Sequence, residues 1–298
     1  MKKTLNILLA LFMLALVGCA QNNTKSNNNE PITYQIYCSS PQSVITNESE
    51  TNSETTKTAF HSASDLQLYL SDSQKYTNPN ASQFKEFSIG NETFRAELSN
   101  SFSPKTQSKF QEFESYDNYV NTEGERISFS FRKDTDELVF FLAYDRNNES
   151  KSGISQQEAK EIATELFVKL YGNEMLAEYN HIIDAMNSSK TYYSFYFCKA
   201  INGIRTQDRV MISINFQGQL LSLNAKTLGI LDEIKSDITE KHLSDAETAL
   251  RSSISKSYEI KDRELFVDFN TGKCYLQVLA GFTKDNAFSS DYFYINVN

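Results

Sequence analysis

Ile154-Ser155-Gln156-Gln157-Glu158-Ala159 opens the stretch on which the reading of the fold turns. Ser155 and Glu158 occupy the two ends of a capping box. The serine oxygen accepts from the amide three residues on, and the glutamate reaches back to the amide of the cap. Ala159, Ile162, Ala163, Leu166, Phe167 and Leu170 then follow helical spacing on one face, and Gly172 supplies a stop. The same entry recurs at Leu243-Ser244-Asp245-Ala246-Glu247, followed by Ala249, Leu250, Ile254 and Tyr258. Glu158 and Glu247 are both accounted for as caps.

Strand signals follow each helix. After the first come Tyr192 to Ala200, Asp208 to Phe216, and Gln219 to Leu223. Val210, Ile212, Ile214 and Phe216 alternate with Met211, Ser213 and Asn215, the period of a strand with one buried face. Phe216-Gln217-Gly218-Gln219 reads as a hairpin turn. After the second come Glu264 to Phe269, Cys274 to Phe282 and Asp291 to Val297, with Asn270-Thr271-Gly272-Lys273 as a turn and Phe293, Ile295 and Val297 alternating. A third, divergent copy is expected upstream. There Ser64 to Leu70 reads as a short helix, Ile127-Ser128-Phe129-Ser130-Phe131 alternates, and Lys133 to Glu137 turns the chain into Leu138 to Tyr144.

This arrangement resembles the PepSY-type module of bacterial secreted proteins, in the tandem form of YcdB/YcdC-like proteins. The carrying residues are Ile154 to Ala159, Tyr192-Tyr193-Ser194-Phe195-Tyr196-Phe197 with Asn202-Gly203-Ile204, the strand Val210 to Gln219, and the second entry Leu243 to Glu247. Cys198-Lys199 stands where such proteins often carry an arginine, and Thr248 replaces an alanine after the second glutamate. The expected fold is therefore α+β: tandem PepSY-like modules, each a helix packed on a small antiparallel sheet, at 151–236 and 237–298, with a divergent α+β module at 59–150. The resemblance implies partners among extracytoplasmic proteases and wall hydrolases.

The N-terminus points to the same compartment. Met1-Lys2-Lys3 precedes an apolar run from Leu5 to Val17, too short to span a bilayer, which ends in Leu16-Val17-Gly18-Cys19. This resembles the lipobox of bacterial lipoproteins. It predicts a signal peptide at 1–18, a diacylglycerol thioether on Cys19 with N-terminal acylation, and anchoring to the outer face of the membrane by lipid. Residues 19–58, rich in Asn, Ser, Thr, Gln and Glu, are expected as a polar tether, because they bury too little to offset chain entropy. Formal net charge is −9, which gives no electrostatic case for nucleic acid. Cys38, Cys198 and Cys274 remain after Cys19, with no C-x-x-C spacing. A Cys198–Cys274 disulfide suits the compartment, but the apolar strand context of both favours buried thiols.

Chemistry is sparse. The three histidines, His61, His181 and His242, show no metal-ligand spacing. No nucleophile elbow or phosphate-binding glycine loop occurs. Asp134, Asp136 and Glu137 form an acidic turn with too few ligands for a dedicated calcium loop. No catalytic residue, metal or cofactor is expected; an enzyme would need His181 or His242 beside a carboxylate or thiol. Sixteen Tyr and 21 Phe with no Trp make the strands aromatic. Tyr192, Tyr193 and Tyr196 are the candidate partner surface, an exposed face or edge that accepts a peptide by strand addition. The plain alternative is a sheet covered on both faces. The expected function is a non-enzymatic lipoprotein that binds a protein or peptide; the alternative is capture of a small ligand or wall polymer in a cleft between modules.

Overall fold

The computed structural model describes residues 34–39, 58–70, 72–77, 84–89, 92–97, 101–106, 113–121, 124–146, 153–185, 191–234, 237–254, 258–284 and 287–297. The first strands are β1 (Tyr34–Cys38), β2 (Thr58–Ser62), β3 (Asp72–Thr77), β4 (Phe84–Ile89) and β5 (Glu92–Glu97). β6 (Ser101–Thr106), β7 (Phe113–Asn121), β8 (Arg126–Arg132) and β9 (Leu138–Ala143) precede the long helix α1 (Gln156–Glu178). Then come β10 (His181–Ala185), β11 (Tyr192–Ile201), β12 (Ile204–Asn215), β13 (Leu220–Asn224), the single turn α2 (Ile230–Glu233) and α3 (Glu240–Ser253). β14 (Glu259–Val267), β15 (Cys274–Lys284) and β16 (Ala287–Asn296) close the chain.

These sixteen strands form one continuous mixed sheet with the main order β2-β1-β16-β15-β14-β12-β13-β9-β8-β7-β5-β4. This overturns the expected α+β tandem of separate helix-on-sheet modules: the protein is mostly β. The physical reason is β12, whose length lets it serve two neighbours on one edge. Its C-terminal half pairs with β13, and β13 continues to β9. Its N-terminal end meets β14 in parallel at Thr206 and Leu265. The stretch 59–150 contributes β2 to β9 and no α-helix among the described residues. Its expected helix at Ser64–Leu70 is a 3-10 turn at Ala63–Asp65 followed by an extended strap.

α1 starts as its sequence requires. Glu158 N–H donates to the Ser155 hydroxyl at 3.2 Å, and Ser155 N–H donates to the Glu158 carboxylate at 2.7 Å. Gly172 interrupts the helix as expected: it takes φ 89°, a conformation open to glycine, and beyond this kink a second helical segment runs on to Glu178. Ala159, Ala163 and Phe167 face β11 and β12, and Phe167 stacks on Phe197 at 4.7 Å between centroids. The same core takes Phe129 and Phe141 from β8 and β9, both fully buried. Alternation on β8 sends Ile127, Phe129 and Phe131 to this core, and turns Ser128 and Ser130 the other way.

A second core lies under α2, α3 and the strands β14 to β16. β1 belongs to it: Ile36 and Cys38 are fully buried, and Ile36 pairs with Ile295 of β16. A strand thus forms within residues expected as tether. α3 does not begin at the expected capping box either. Its N-cap is Thr239, and His242 Nδ1 accepts from the Thr239 N–H at 3.4 Å, which leaves Ser244 and Glu247 inside the helix.

Asp208 of β12 ties the two cores together. Its carboxylate accepts from the Tyr179 hydroxyl at 2.6 Å, from Gly229 N–H at 2.8 Å and from Leu231 N–H at 3.1 Å. Tyr179 belongs to the first core, and Leu231 of α2 to the second.

Candidate functional site

The side-chain period of two along β11 separates the three candidate tyrosines. Tyr193 shares a face with Phe195 and Phe197, packs on the α1 core and meets the Phe216 ring at 5.1 Å. Tyr192 and Tyr196 point to the opposite face and are half-buried. The three residues therefore make no single surface. β12 pairs along one edge of β11 and β10 covers Ser194–Cys198 on the other, so strand addition at Tyr196 is blocked.

Tyr196 belongs to a different assembly. Arg209 lies over its ring at 4.8 Å, on the sheet face turned away from α1 and α3. The same parity on β12 and β14 brings Arg205, Arg209, Asp262 and Glu264 to this face, where β12 meets β14. Glu264, almost fully buried, accepts from Arg209 Nη1 at 2.5 Å and from Arg205 Nε at 3.2 Å. Arg205 reaches Asp262 through both Nη groups, at 2.8 Å for Nη1. Such bidentate pairs hold guanidinium planes in fixed orientation.

The strap after Ala63–Asp65 crosses this face. Phe269 N–H donates to Gln67 O at 2.9 Å, the Gln207 amide donates to Leu68 O, and Val267 N–H donates to Gln207 Oε1 at 3.0 Å. Leu68 is thereby buried against Phe266, Tyr275 and Tyr294. The neighbouring Tyr69 is turned out, 63% exposed, with its ring edge-on to Phe266 at 5.9 Å. Tyr292 of β16 is 44% exposed. Partial burial, then the Glu264 carboxylate, raises the Tyr69 hydroxyl above its ordinary value. The result is an outward patch of Tyr69, Tyr292 and Tyr196 around a rigid Arg205-Asp262-Glu264-Arg209 network.

Other candidates are placed as follows. Cys198 lies on the arginine side of β11, paired across from Arg209, and burial pushes its thiol up to about 11. A thiol that holds its proton at neutral pH is a poor nucleophile. Cys38, Cys198 and Cys274 are all buried as thiols. His181 opens β10 at the rim of a cleft of about 220 Å³, with Arg205, Lys261 and Asp262. Asp134 and Asp136 are exposed, Asp136 pairs with Lys85 at 3.0 Å, and Glu137 lies 3.7 Å from Arg132. Among the described residues no group of His, Cys, Asp and Glu is arranged to hold a metal. Cys19 and residues 1–33 lie outside the described residues.

No family model matches this chain, and no curated protein matches it. Among solved structures it is similar to the Bacillus megaterium YpeB C-terminal domain, at 12% identity and a TM-score of 0.36, over 73% of this chain and 88% of that one. A likeness at that level carries no argument about fold or function.

Sequence reasoning missed Tyr69, Tyr292, Arg209 and Glu264. A signal existed for Tyr292: once Phe293 and Ile295 are read as inward, Tyr292 and Tyr294 must point outward. For Tyr69 there was none, because its exposure depends on a strap held by residues distant in sequence.

Proposed function

We propose that this chain is a non-enzymatic lipoprotein, anchored through Cys19 on the extracytoplasmic face of a membrane, that binds a protein or peptide through the patch around Tyr69 and Tyr292. The observation that supports this is the exposure of two large aromatic rings beside immobilised arginines. Tyr and Arg dominate binding hot spots, because both bring large contact area with few torsions left to order. The PepSY-type resemblance of the helix entry and of the Tyr192 to Phe197 strand names the partner class: an extracytoplasmic protease or wall hydrolase.

The test is capture from the native cell envelope by the whole folded chain, with mass spectrometry of what is retained. A protease or wall hydrolase held by the wild type and lost on Tyr69→Ser with Tyr292→Ser supports the reading. Recovery of wall fragments alone, or retention unchanged by the double substitution, refutes it.

A further inference from the structure

Glu247, expected as a helix cap, does something else. It lies in the middle of α3 and faces β14, where two arginines converge on it. Arg251, one turn later, donates to Glu247 Oε1 through Nε at 3.0 Å and Nη2 at 2.8 Å. Arg263 of β14 donates to the same oxygen through Nη2 at 2.9 Å, and its Nε lies 2.6 Å from Oε2. Burial pushes the Glu247 carboxyl upward, but the hydrogen bonds from Arg263 and Arg251 outweigh it and hold the group below the usual carboxylate range. The carboxylate therefore stays ionised at neutral pH and keeps both guanidiniums oriented.

Each arginine spends the same edge, Nε and Nη2, on this contact. Nη1 of both makes no hydrogen bond among the described residues, and the two side chains are 53% and 40% exposed. A guanidinium carries five N–H donors in a planar fork, so each retains an unspent edge. Both line a cleft of about 370 Å³ between α3 and the tip of the β11–β12 hairpin, to which Asn202, Ser244 and Thr248 add neutral polar groups and Glu240 a second carboxylate. Asn202 and Gly203 hold that tip with φ 50° and 77°, the conformation of a tight two-residue turn. Arg263 also lines the smaller cleft across the tip, beside Lys261. Glu240 lines the cleft beside Glu247, so the two arginines are matched in formal charge, and what Arg251 and Arg263 offer an anion is the unspent Nη1 edge of each.

We infer that this cleft binds an oxyanion, a phosphate or carboxylate group, bridged between Arg251 and Arg263, with Glu247 as the internal counter-ion that sets their geometry. The site lies on the helix side of the sheet, away from Tyr69 and Tyr292, and does not rest on the peptide-binding reading. The group could come as a free anion or as a phosphodiester of a polymer threaded past the hairpin tip.

Calorimetric titration of the full chain at low ionic strength tests this, with inorganic phosphate, a glycerol-phosphate oligomer and glycerol as separate probes. Saturable one-to-one uptake of both anions, and none of glycerol, is expected. A phosphodiester bound about tenfold or more tighter than inorganic phosphate identifies a polymer; equal affinities identify a free anion. Arg251→Gln and Arg263→Gln should each weaken binding about tenfold or more, the scale of a lost charge-assisted contact. Glu247→Gln removes the competing charge at equal size and should tighten binding about threefold or more. Arg263→Lys, which retains the charge but loses the fork, gives an intermediate affinity should a glutamine variant fail to fold. No saturable uptake by either the wild type or Glu247→Gln overturns the inference, as does undiminished uptake by an Arg263→Gln protein whose circular dichroism and melting match the wild type.

Discussion

Asp208 shows how much one residue can carry. It stands at an inward position of β12, in line with Val210 and Ile212, where a carboxylate is costly unless every lone pair is used. Three donors from two cores meet it, so Asp208→Ala should cost about 2 kcal/mol in urea unfolding, by leaving the Leu231 amide without its acceptor and the Gly229 amide with the Tyr179 hydroxyl alone. Burial raises its carboxyl above the ordinary range, against the hydrogen bonds from Tyr179, Leu231 and Gly229. A folded value above the unfolded one means a stability contribution that is complete below the ordinary carboxylate range and declines as pH rises through the raised value. Wild type should therefore lose stability relative to Asp208→Asn as pH is raised from about 4 to 8; a pH-independent difference between the two would contradict this. Gly153 is a second such point. A Cβ there would lie 2.2 Å from the carbonyl oxygen of Phe216, the group that accepts the Ile154 N–H. Gly153→Ala should accordingly cost about 1–3 kcal/mol, read from the melting temperature. Neither requirement was legible: Asp208 stands at the start of the strand expected from sequence, between Gln207 and Arg209, where a charge looks ordinary, and the Gly153 contact comes from a strand end distant in sequence.

Among the elements, α1 was the most legible and β1 the least. The capping box of α1 is local chemistry, contained within four residues, and Ser155→Ala should cost about 1 kcal/mol by thermal unfolding. The second box failed because Ser244-Asp245-Ala246-Glu247 can serve equally as helix interior, and Thr239 offers an earlier cap. Which of two adequate caps is used depends on what the helix packs against. β1 was hidden by its surroundings: five residues within a polar stretch, whose burial depends on β16 at the other end of the chain. Ile36→Ala should destabilise the protein by about 2–5 kcal/mol. Hydrogen exchange should report the loss at the amides of β16 before those of α1, and equal loss in both would refute the assignment of β1 to the second core.

For the molecule as a whole, the recurrence of helix entry and strands does not make separate helix-on-sheet modules: the protein is mostly β. Two helices do cover two cores, yet the sheet runs through both without a boundary. No local pattern announces that β12 is long enough to hold β13 and β14 on one edge. The β12–β14 contact is short in backbone pairing, and the Arg205-Asp262-Glu264-Arg209 network supports it. Removing Glu264 leaves Arg205 with Asp262 and takes from Arg209 the carboxylate that its Nη1 meets. Glu264→Ala should cost about 2 kcal/mol or more and split one calorimetric transition into two, the second core melting first. A single transition shifted as a whole would mean that the Asp208 ties alone keep the cores cooperative. The position of β1 has one further consequence, for order in time. A chain made from its N-terminus delivers Tyr34–Cys38 long before its partner β16. Closing so long a loop adds little to the equilibrium cost, which grows only with the logarithm of length. It does mean that β1 must wait, with the edge that β16 takes still open, until residues 287–296 have been made. A chain without β16 leaves Ile36 and Cys38 lacking the neighbour that helps cover them, so β1 senses whether residues 287–296 are in place.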